Sequence, residues 1–256
     1  MNLEDRLEEI QRGVIPEHVA IIPDGNGRWA HNRGLERKEG HKRGTERAED
    51  LIEFISKELP IKYLTFYTFS TENWSRPDEE VEFLMSLLKD LLGERGMKLL
   101  KNNIRFRAIG KVDELPERTA RVVKETINHT ADNKGLELIM ALNYGGRQEI
   151  ISATRKLISL AEDGELSGEE LSEELFQSHL FTSGIPDPDL LIRTSGERRV
   201  SNFMLWQLAY TEFWITNRLW PGFKPEHLLE ALGDFQRRDR RFGGVDKGNL
   251  LSENGN

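Results

Sequence analysis

Six stretches of the chain are apolar over nearly their whole length, and they predict β-strands. Several are rich in β-branched and aromatic residues, as strands usually are. Because most of them are not interrupted by polar positions, we expect a sheet that is covered on both faces. The predicted strands are His18–Pro23, Ile61–Ser70, Asn103–Gly110, Leu136–Tyr144, Leu190–Thr194 and Tyr210–Thr216.

Between the strands, apolar residues recur at spacings of three and four, which is typical of one face of a helix. Such stripes run from Ala48 to Leu59, from Val81 to Leu92 and from Ile150 to Ala161. Ser75, with an acidic residue three positions later, is a candidate start for the second of these helices. The alternation predicts an α/β fold with a six-stranded, mostly parallel β-sheet wrapped by helices.

The length of 256 residues suits a single α/β domain with a large core. No stretch has the composition of a linker, so we predict one domain over residues 1–256. Residues 1–15 are charged and amphipathic, and they predict an N-terminal helix or extension. Residues 246–256 are polar and predict a flexible tail.

Composition narrows the class of protein. No apolar run approaches the length of a membrane span, and the N-terminus lacks the apolar core of a signal peptide. The chain has no cysteine, which excludes disulfides and thiolate metal sites and is consistent with a cytoplasmic protein. A net charge of −8 argues against a nucleic-acid binder.

Arginine and lysine are nevertheless concentrated in three segments, residues 28–43, 193–199 and 237–241. Each segment alone is compatible with a solvated face. Together they are also compatible with a site that binds a small polyanion.

The segment Asp24–Trp29 directly follows the first predicted strand, where ligands bind in parallel sheets. Gly25 and Gly27 allow backbone N–H groups to approach an anion closely. Arg28 adds a guanidinium suited to phosphate oxygens, and Asp24 is a hard oxygen ligand of the kind that Mg²⁺ binds together with substrate phosphates. The alternative is a hairpin turn, since Asp-Gly and Asn-Gly are hairpin signals.

Two further polar segments follow predicted strands. Phe69–Arg76 combines hydroxyls, a carboxylate, an amide, an indole and a guanidinium, and it also fits a simple strand-to-helix turn. Arg193–Asn202 combines arginine, hydroxyl and glycine, which suits an anion cradle but also a surface loop. Glu212 lies inside an apolar strand, where it would bind a metal or face water from an edge strand.

The common alternative motifs are missing from the sequence. There is no HExxH, no GxxxxGK[ST] phosphate loop and no third glycine at the dinucleotide spacing after Gly27. A zinc protease, a P-loop nucleotidase and a nicotinamide or flavin enzyme are therefore not supported.

Taken together, these segments resemble the cis-prenyltransferases of the undecaprenyl diphosphate synthase type. HVAIIPDGNGRWA, YLTFYTFSTENWSRP, ALNYGGRQEI and DPDLLIRTSGERRVSNFMLWQLAYTEFWITNRLWPGF resemble the family's signature blocks in the family's order, as do RGLERKEGHKRG and RRFGG. They extend from about residue 18 to residue 244.

The resemblance implies an enzyme, a prenyl-group transferase that requires Mg²⁺. It implies cis-condensation of isopentenyl diphosphate onto an allylic diphosphate, farnesyl or geranylgeranyl diphosphate, giving a long polyprenyl diphosphate such as undecaprenyl diphosphate. It also implies a homodimer, no nucleic-acid partner, and transient contact of a cytoplasmic enzyme with the inner membrane face for product release. The alternatives are a non-catalytic partner subunit and an unrelated Mg²⁺-dependent phosphoester hydrolase.

The resemblance also assigns roles to residues. Asp24 and Asn73 would be catalytic, with Asp24 and Glu212 as metal ligands, Glu212 near or across the dimer interface. An amide is a poor base, so Asn73 would position the group that takes the proton. The implied substrate-binding residues are Gly25, Asn26, Gly27, Arg28, Trp29, Arg37, His41, Ser70, Thr71, Glu72, Trp74, Arg76, Arg193, Arg199, Val200, Ser201 and Arg241.

An apolar product needs an apolar tunnel, and the second helix offers a stripe for its wall. That stripe comprises Val81, Phe83, Leu84, Leu87, Leu88 and Leu91, which also fit an ordinary core. Two residues depart from the family pattern: Pro23 stands where methionine is common, and Arg198 where some members carry histidine. Neither departure removes a residue that the reaction needs.

Overall fold

A computed structural model of the chain describes residues 2–93 and 96–238. In this part of the chain one sheet contains the strands β1 (His18–Ile22), β2 (Tyr63–Ser70), β3 (Arg105–Ile109), β4 (Glu137–Tyr144), β5 (Leu190–Arg193) and β6 (Glu212–Ile215). The strand order is β3-β4-β2-β1-β5-β6, and all five pairings are parallel. The six predicted strands are thus confirmed, and each is shorter than predicted by one to three residues.

The helices flank this sheet in chain order. They are α1 (Leu3–Gln11), α2 (Asn26–His31), α3 (Arg37–Glu58), α4 (Asp78–Leu92), α5 (Gly96–Lys101), α6 (Glu117–His129), α7 (Gly146–Glu162), α8 (Glu173–Ser178) and α9 (Pro225–Gln236). Four short 3₁₀ turns lie at Thr71–Ser75, Val112–Glu114, Gly168–Glu170 and Trp220–Gly222. No helix within residues 2–93 and 96–238 is both long and apolar enough to span a bilayer.

The three helices predicted from apolar stripes are confirmed as α3, α4 and α7. The predicted start of α4 is wrong, because the helix begins at Asp78 and Pro77 precedes it. Ser75 instead ends a 3₁₀ turn, and its hydroxyl donates to the carbonyl of Glu72 at 2.8 Å.

Continuous apolar strands reflect burial on both faces of the sheet. Every residue of β1 is buried. Val19 and Ile21 belong to one apolar cluster, whereas Ala20 and Ile22 belong to another, as the two-residue period of a strand requires.

The strand order places the site. β1 lies between β2 on one side and β5 on the other. After β1 the chain continues toward β2, and after β5 it continues toward β6 in the opposite direction, so the two connections diverge between β1 and β5. Ligands of open parallel sheets bind at such a point, outside the carboxyl ends of the strands. Asp24, Ser70 and Arg193 all lie at this edge.

Two predictions fall on segments outside the described residues. These are the role of Arg241 and the flexible tail at residues 246–256.

Candidate active site

The loop after β1 turns sharply into α2. Gly25 precedes the helix with a φ of +105°, a conformation that other residues rarely adopt. A Cβ at this position would also approach Leu219 Cδ2 to 2.9 Å. The N–H of Trp29 donates to the carbonyl of Gly25 at 2.9 Å and closes the turn. The backbone therefore requires glycine at position 25, and the hairpin alternative is wrong because a helix follows.

Asp24 is held through both its backbone and its side chain. Its carbonyl accepts hydrogen bonds from Thr194 Oγ1 at 2.6 Å and from Trp220 N at 3.0 Å. Its Oδ2 lies 3.1 Å from Arg193 Nη2 and 3.5 Å from Arg28 Nη2. Burial opposes ionisation, but the hydrogen bond from Arg193 and the two positive charges outweigh it, so the pKa of Asp24 lies below its ordinary value. Asp24 is therefore ionised at neutral pH.

Arg193 joins the loop after β1 to the loop after β5. It is the last residue of β5 and is 5% exposed. While Nη2 reaches Asp24, Nη1 donates to Ser201 Oγ at 2.9 Å and to the carbonyl of Arg199. The side chain of Arg199 pairs with Glu197, with Nη1 2.5 Å from Oε2. One guanidinium thus organises both loops.

Arg28 makes a second link between the same loops. It donates to the carbonyl of Ser195 at 3.2 Å and to the hydroxyl of that residue. It also lies 3.4 Å from Glu197 Oε1.

The third loop follows β2 and contains the 3₁₀ turn Thr71–Ser75. Asn73 Oδ1 accepts a hydrogen bond from Ser70 N at 3.1 Å, so the side-chain carbonyl of Asn73 is bound to the backbone. Glu72 Oε1 accepts a hydrogen bond from Asn202 Nδ2 at 2.8 Å. Burial raises the pKa of Glu72, but this hydrogen bond and others lower it more, so the carboxylate is ionised. Asn202, which connects the loop after β5 with the loop after β2, was not among the predicted substrate-binding residues.

Glu80, in the first turn of α4, was also not predicted. Its Oε1 lies 2.8 Å from Arg76 Nη1, 3.1 Å from Arg37 Nε and 3.3 Å from His41 Nε2. Burial lowers the pKa of His41 to about 4; the neighbouring arginines add to this and Glu80 opposes it, so His41 is neutral at pH 7. The four-residue spacing between Arg76 and Glu80 is the one signal in the sequence that pointed to this carboxylate.

Two polar cavities meet at Asp24. The first polar cavity is lined by Pro23, Asp24, Gly25, Asn26, Gly27, Arg28, His31, Leu35, Arg37, His41 and Arg76. The second polar cavity is lined by Ile22, Pro23, Asp24, Asn26, His41, Tyr67, Thr68, Ser70, Glu72, Asn73, Arg76, Leu84, Arg193, Ser201 and Asn202. Most of the predicted substrate-binding residues therefore come together around Asp24.

Some predicted substrate-binding residues line neither cavity. They are Trp29, Thr71, Trp74, Arg199 and Val200. Trp29 lies beneath the guanidinium of Arg33, 4.3 Å from the ring centre. Trp74 Nε1 donates to Asn143 Oδ1 at 2.7 Å. Val200 packs against the apolar cluster that contains Ala20 and Ile22. In the structure these three side chains thus contact neighbouring groups of the protein.

Buried polar atoms without partners are concentrated at the site. Among the described residues, five buried side-chain atoms make no hydrogen bond: Asn26 Oδ1, His41 Nε2, Thr71 Oγ1, Arg193 Nε and Gln207 Oε1. His41 Nε2 has only the 3.3 Å contact with Glu80 Oε1, which lacks hydrogen-bond geometry. Four of them belong to predicted site residues. Because buried polar groups are nearly always paired in folded proteins, this concentration indicates a place for a polar ligand.

An apolar cleft adjoins the polar cavities, with Pro23, Asn26 and His41 at the boundary. Leu84, Leu87, Leu88 and Leu91 of α4 line it, together with Phe66, Phe69, Met85 and Met140 among others. Of the predicted tunnel stripe, Val81 lies in the core and Phe83 does not line the cleft. Four residues of the stripe thus line an apolar cleft and Val81 lies in the core, while the role of the cleft as a product tunnel stays a prediction.

Glu212 lies away from Asp24 within one chain. It is the first residue of β6 and pairs in register with Leu190, which is level with Val19 at the start of β1. Its Oε2 accepts a hydrogen bond from Arg238 Nη1 at 2.7 Å. The predicted metal role of Glu212 across a dimer interface stays a prediction.

The fold and this site define an α/β protein in which two arginine-lined polar cavities lie beside an apolar cleft. The family model described as putative undecaprenyl diphosphate synthase matches residues 22–243. The chain belongs to this family.

Relatives and solved structures agree with the family assignment. Isoprenyl transferases of Bacillus cereus and Bacillus subtilis are 52% and 50% identical to the chain, each over 93% of it and over 92% and 91% of the relative. A lavandulyl diphosphate synthase from Lavandula x intermedia, solved with dimethylallyl diphosphate, has a TM-score of 0.87 at 40% identity, covering 92% of this chain and 99% of that one. A probable undecaprenyl diphosphate synthase from Campylobacter jejuni has a TM-score of 0.73 at 32% identity, covering 89% and 98%. The resemblance to cis-prenyltransferases is confirmed, and the chain is an enzyme of the prenyl-transferring class.

Proposed function

We propose that the chain condenses isopentenyl diphosphate onto farnesyl or geranylgeranyl diphosphate in the cis configuration and repeats this step to make undecaprenyl diphosphate. The observation that carries the proposal is the meeting of two cation-lined cavities at Asp24, beside an apolar cleft. Two diphosphates that react with each other need adjacent sites, and the growing hydrocarbon needs an apolar space.

The first polar cavity suits the allylic diphosphate. Arg28, Arg37 and Arg76 supply positive charge, and the cleft opens beside His41. The second polar cavity suits isopentenyl diphosphate, with Arg193 and Ser201 on its wall.

Arg199 has a place in this assignment although its side chain pairs with Glu197 and does not line the cavity. This exposed pair is weak, and a diphosphate offers Arg199 a more highly charged partner.

The residues present fit a Mg²⁺ ion held by Asp24 together with substrate phosphates. Mg²⁺ usually binds through one or two carboxylates plus phosphate oxygens. Asp24 is ionised, 32% exposed on its side chain and placed between the two cavities. When bound, the ion would stabilise negative charge on the departing diphosphate.

The reaction breaks the bond between the allylic carbon and the diphosphate oxygen, and the diphosphate leaves with the electron pair. The alkene of isopentenyl diphosphate forms the new carbon–carbon bond, and a proton leaves the adjacent carbon to give the new double bond. Asn73 is no base, and its carbonyl is engaged with Ser70 N. Its amide N–H group would hold a diphosphate oxygen that accepts the proton.

The direct test incubates the protein with Mg²⁺, isopentenyl diphosphate and each allylic primer, followed by mass analysis of the products. Elongation in steps of five carbons supports the proposal. Lack of elongation with both primers would refute it and would favour a non-catalytic partner subunit. Release of inorganic phosphate from simple phosphoesters without elongation would favour the hydrolase alternative.

We further propose a homodimer formed through β6 and the residues around it, within residues 206–220. Phe213 and Ile215 lie on the same face of this edge strand and are 40% and 37% exposed, and the nearby Tyr210 is 74% exposed. Exposed apolar edge strands invite pairing with another chain. Phe213→Lys should shift the mass in solution from dimer to monomer, whereas Leu171→Lys, at a separate exposed leucine, should not. A monomeric wild-type protein would refute the dimer.

Release of an apolar product also calls for transient membrane contact. Co-sedimentation with lipid vesicles tests it, and the bound fraction should rise after turnover. Equal binding before and after turnover would contradict the dependence on product.

A further inference from the structure

We propose that Glu80 is a positioning residue that sets the geometry of Arg37 and Arg76 in the first polar cavity. This inference rests on the proposed function, because it assigns Glu80 an effect on the allylic substrate. Glu80 acts through the two arginines and does not itself touch the substrate.

The geometry carries the proposal. A single oxygen, Oε1 of Glu80, lies within 3.3 Å of nitrogen atoms from Arg76, Arg37 and His41. Arg37 and His41 come from α3, whereas Arg76 directly follows the 3₁₀ turn after β2. The carboxylate of Glu80 on α4 therefore connects α3 with the segment that follows the 3₁₀ turn after β2.

The carboxylate of Glu80 is more buried than the two arginine side chains that it contacts. The side chain of Glu80 is 16% exposed, while those of Arg37 and Arg76 are 58% and 31% exposed. A long, exposed arginine samples many rotamers, and ordering it costs conformational entropy. Contact with a mostly buried carboxylate restricts both arginines before the substrate arrives, which lowers the cost of binding.

The electrostatics point the same way. Two guanidinium groups at one cavity repel each other, and a carboxylate between them offsets this repulsion. His41 adds no charge at pH 7, since burial lowers its pKa. Arg37, His41 and Arg76 line the first polar cavity and Glu80 does not, so the carboxylate supports the cations from behind.

This arrangement differs from an ordinary surface ion pair. Exposed single pairs contribute little because water screens them and their side chains are mobile. Glu80 is largely buried and serves three partners, so removing its charge affects the whole cluster. Loss of a charge that fixes substrate-binding groups is expected to raise KM for the substrate that those groups hold.

The experiment compares Glu80→Gln with the matched control Glu79→Gln. Glu79 lies in the same helical turn and is exposed. In Glu80→Gln we expect KM for the allylic diphosphate to rise on the order of tenfold, because the binding groups lose their alignment. KM for isopentenyl diphosphate should rise less than KM for the allylic diphosphate. Arg76 also lines the second polar cavity, but Arg37 does not, and Arg193 and Ser201 do not contact Glu80. The control should match the wild type in both constants.

A double-mutant cycle tests whether Glu80 acts through Arg37. The losses in Arg37→Gln and Glu80→Gln should combine to less than their product, as expected for residues that act as a unit. If Glu80→Gln folds poorly, Glu80→Asp provides the same comparison, since it keeps the charge and withdraws the carboxylate by one methylene group.

Several outcomes would overturn the inference while the wild type still elongates. They are an unchanged or lower KM for the allylic diphosphate, an equal rise in both KM values, and fully multiplicative losses in the cycle. Failure of the proposed function would look different, because the wild type itself would then fail to elongate either primer.

Discussion

Replacing Arg193 by lysine should separate the role of its charge from that of its shape. The guanidinium spans two loops: Nη2 contacts Asp24, and Nη1 contacts Ser201 and the carbonyl of Arg199. A lysine keeps the positive charge but has one nitrogen, which cannot reach both sides. Loss of two charge-assisted hydrogen bonds at about 1.5 kcal/mol each amounts to about 3 kcal/mol. A loss of this size in the transition state lowers kcat/KM by about a hundredfold.

The assay for Arg193→Lys is steady-state elongation with each substrate varied in turn. Because the guanidinium touches both loops, kcat/KM should fall for both diphosphates. Arg47→Lys is the matched control, since Arg47 is 6% exposed and pairs with Asp50 at 2.8 Å outside the polar cavities. The control should lower the free energy of unfolding without altering either KM. A loss below threefold in Arg193→Lys, or a loss confined to one substrate, would refute the bridging role.

Three other predictions concern different parts of the structure. Asp24→Asn should lower elongation on the order of a thousandfold with unchanged circular dichroism, since it removes the charge that would hold Mg²⁺; wild-type rates at saturating Mg²⁺ would exclude this role. Gly40→Ala should raise KM for the allylic diphosphate, since its Cβ would lie 2.1 Å from the carbonyl oxygen of Asn26. In the control Gly96→Ala the new Cβ meets nothing closer than 3.8 Å, so KM should not change. Equal kinetics in the two variants would contradict this. Burial lowers the pKa of His18 from 6.5 to about 4. Between pH 6.5 and pH 4 the unfolded chain therefore binds more protons than the folded chain, and the free energy of unfolding falls by about 3 kcal/mol as the pH drops through this range. Urea unfolding should therefore show the advantage of wild type over His18→Gln shrinking from pH 7 to pH 4.5, and a constant difference would contradict the assignment.

The strands could be predicted because burial on both faces leaves a continuous apolar pattern. All residues of β1 are buried, and β4 is nearly so. The start of α4 could not be predicted, because it depends on a local competition. Ser75 Oγ bonds back to the carbonyl of Glu72, and Pro77 suits the position before the helix since it has no N–H to satisfy.

The site divides in a similar way. Residues at strand ends were found because their motifs match a family and because parallel sheets gather their carboxyl ends at one edge. Glu80 was missed although Arg76 stands four positions before it, because its other partners, Arg37 and His41, lie on α3. Asn202 ends the candidate segment Arg193–Asn202, but its contact with Glu72 exists only in the folded chain. Asn202 is 130 positions from Glu72, for example, and no local pattern in the sequence reports that contact.

Long-range contacts hold the backbone of Asp24 on several sides, whereas the side chains at the rim of the site make fewer contacts. Its carbonyl is bound by Thr194 and by Trp220, and Trp220 is itself fully buried and donates to the carbonyl of Gly44 at 2.8 Å. Displacing the backbone of Asp24 would therefore break its hydrogen bonds to the loop after β5 and to the turn that contains Trp220. Arg37 lies on the same α3, but its side chain is held chiefly by one carboxylate. The folded chain thus fixes the backbone of Asp24 before any substrate binds. At the cavity rim, the position of Arg37 depends on its ion pair with Glu80. Substitutions at this pair should therefore change substrate binding without loss of the fold.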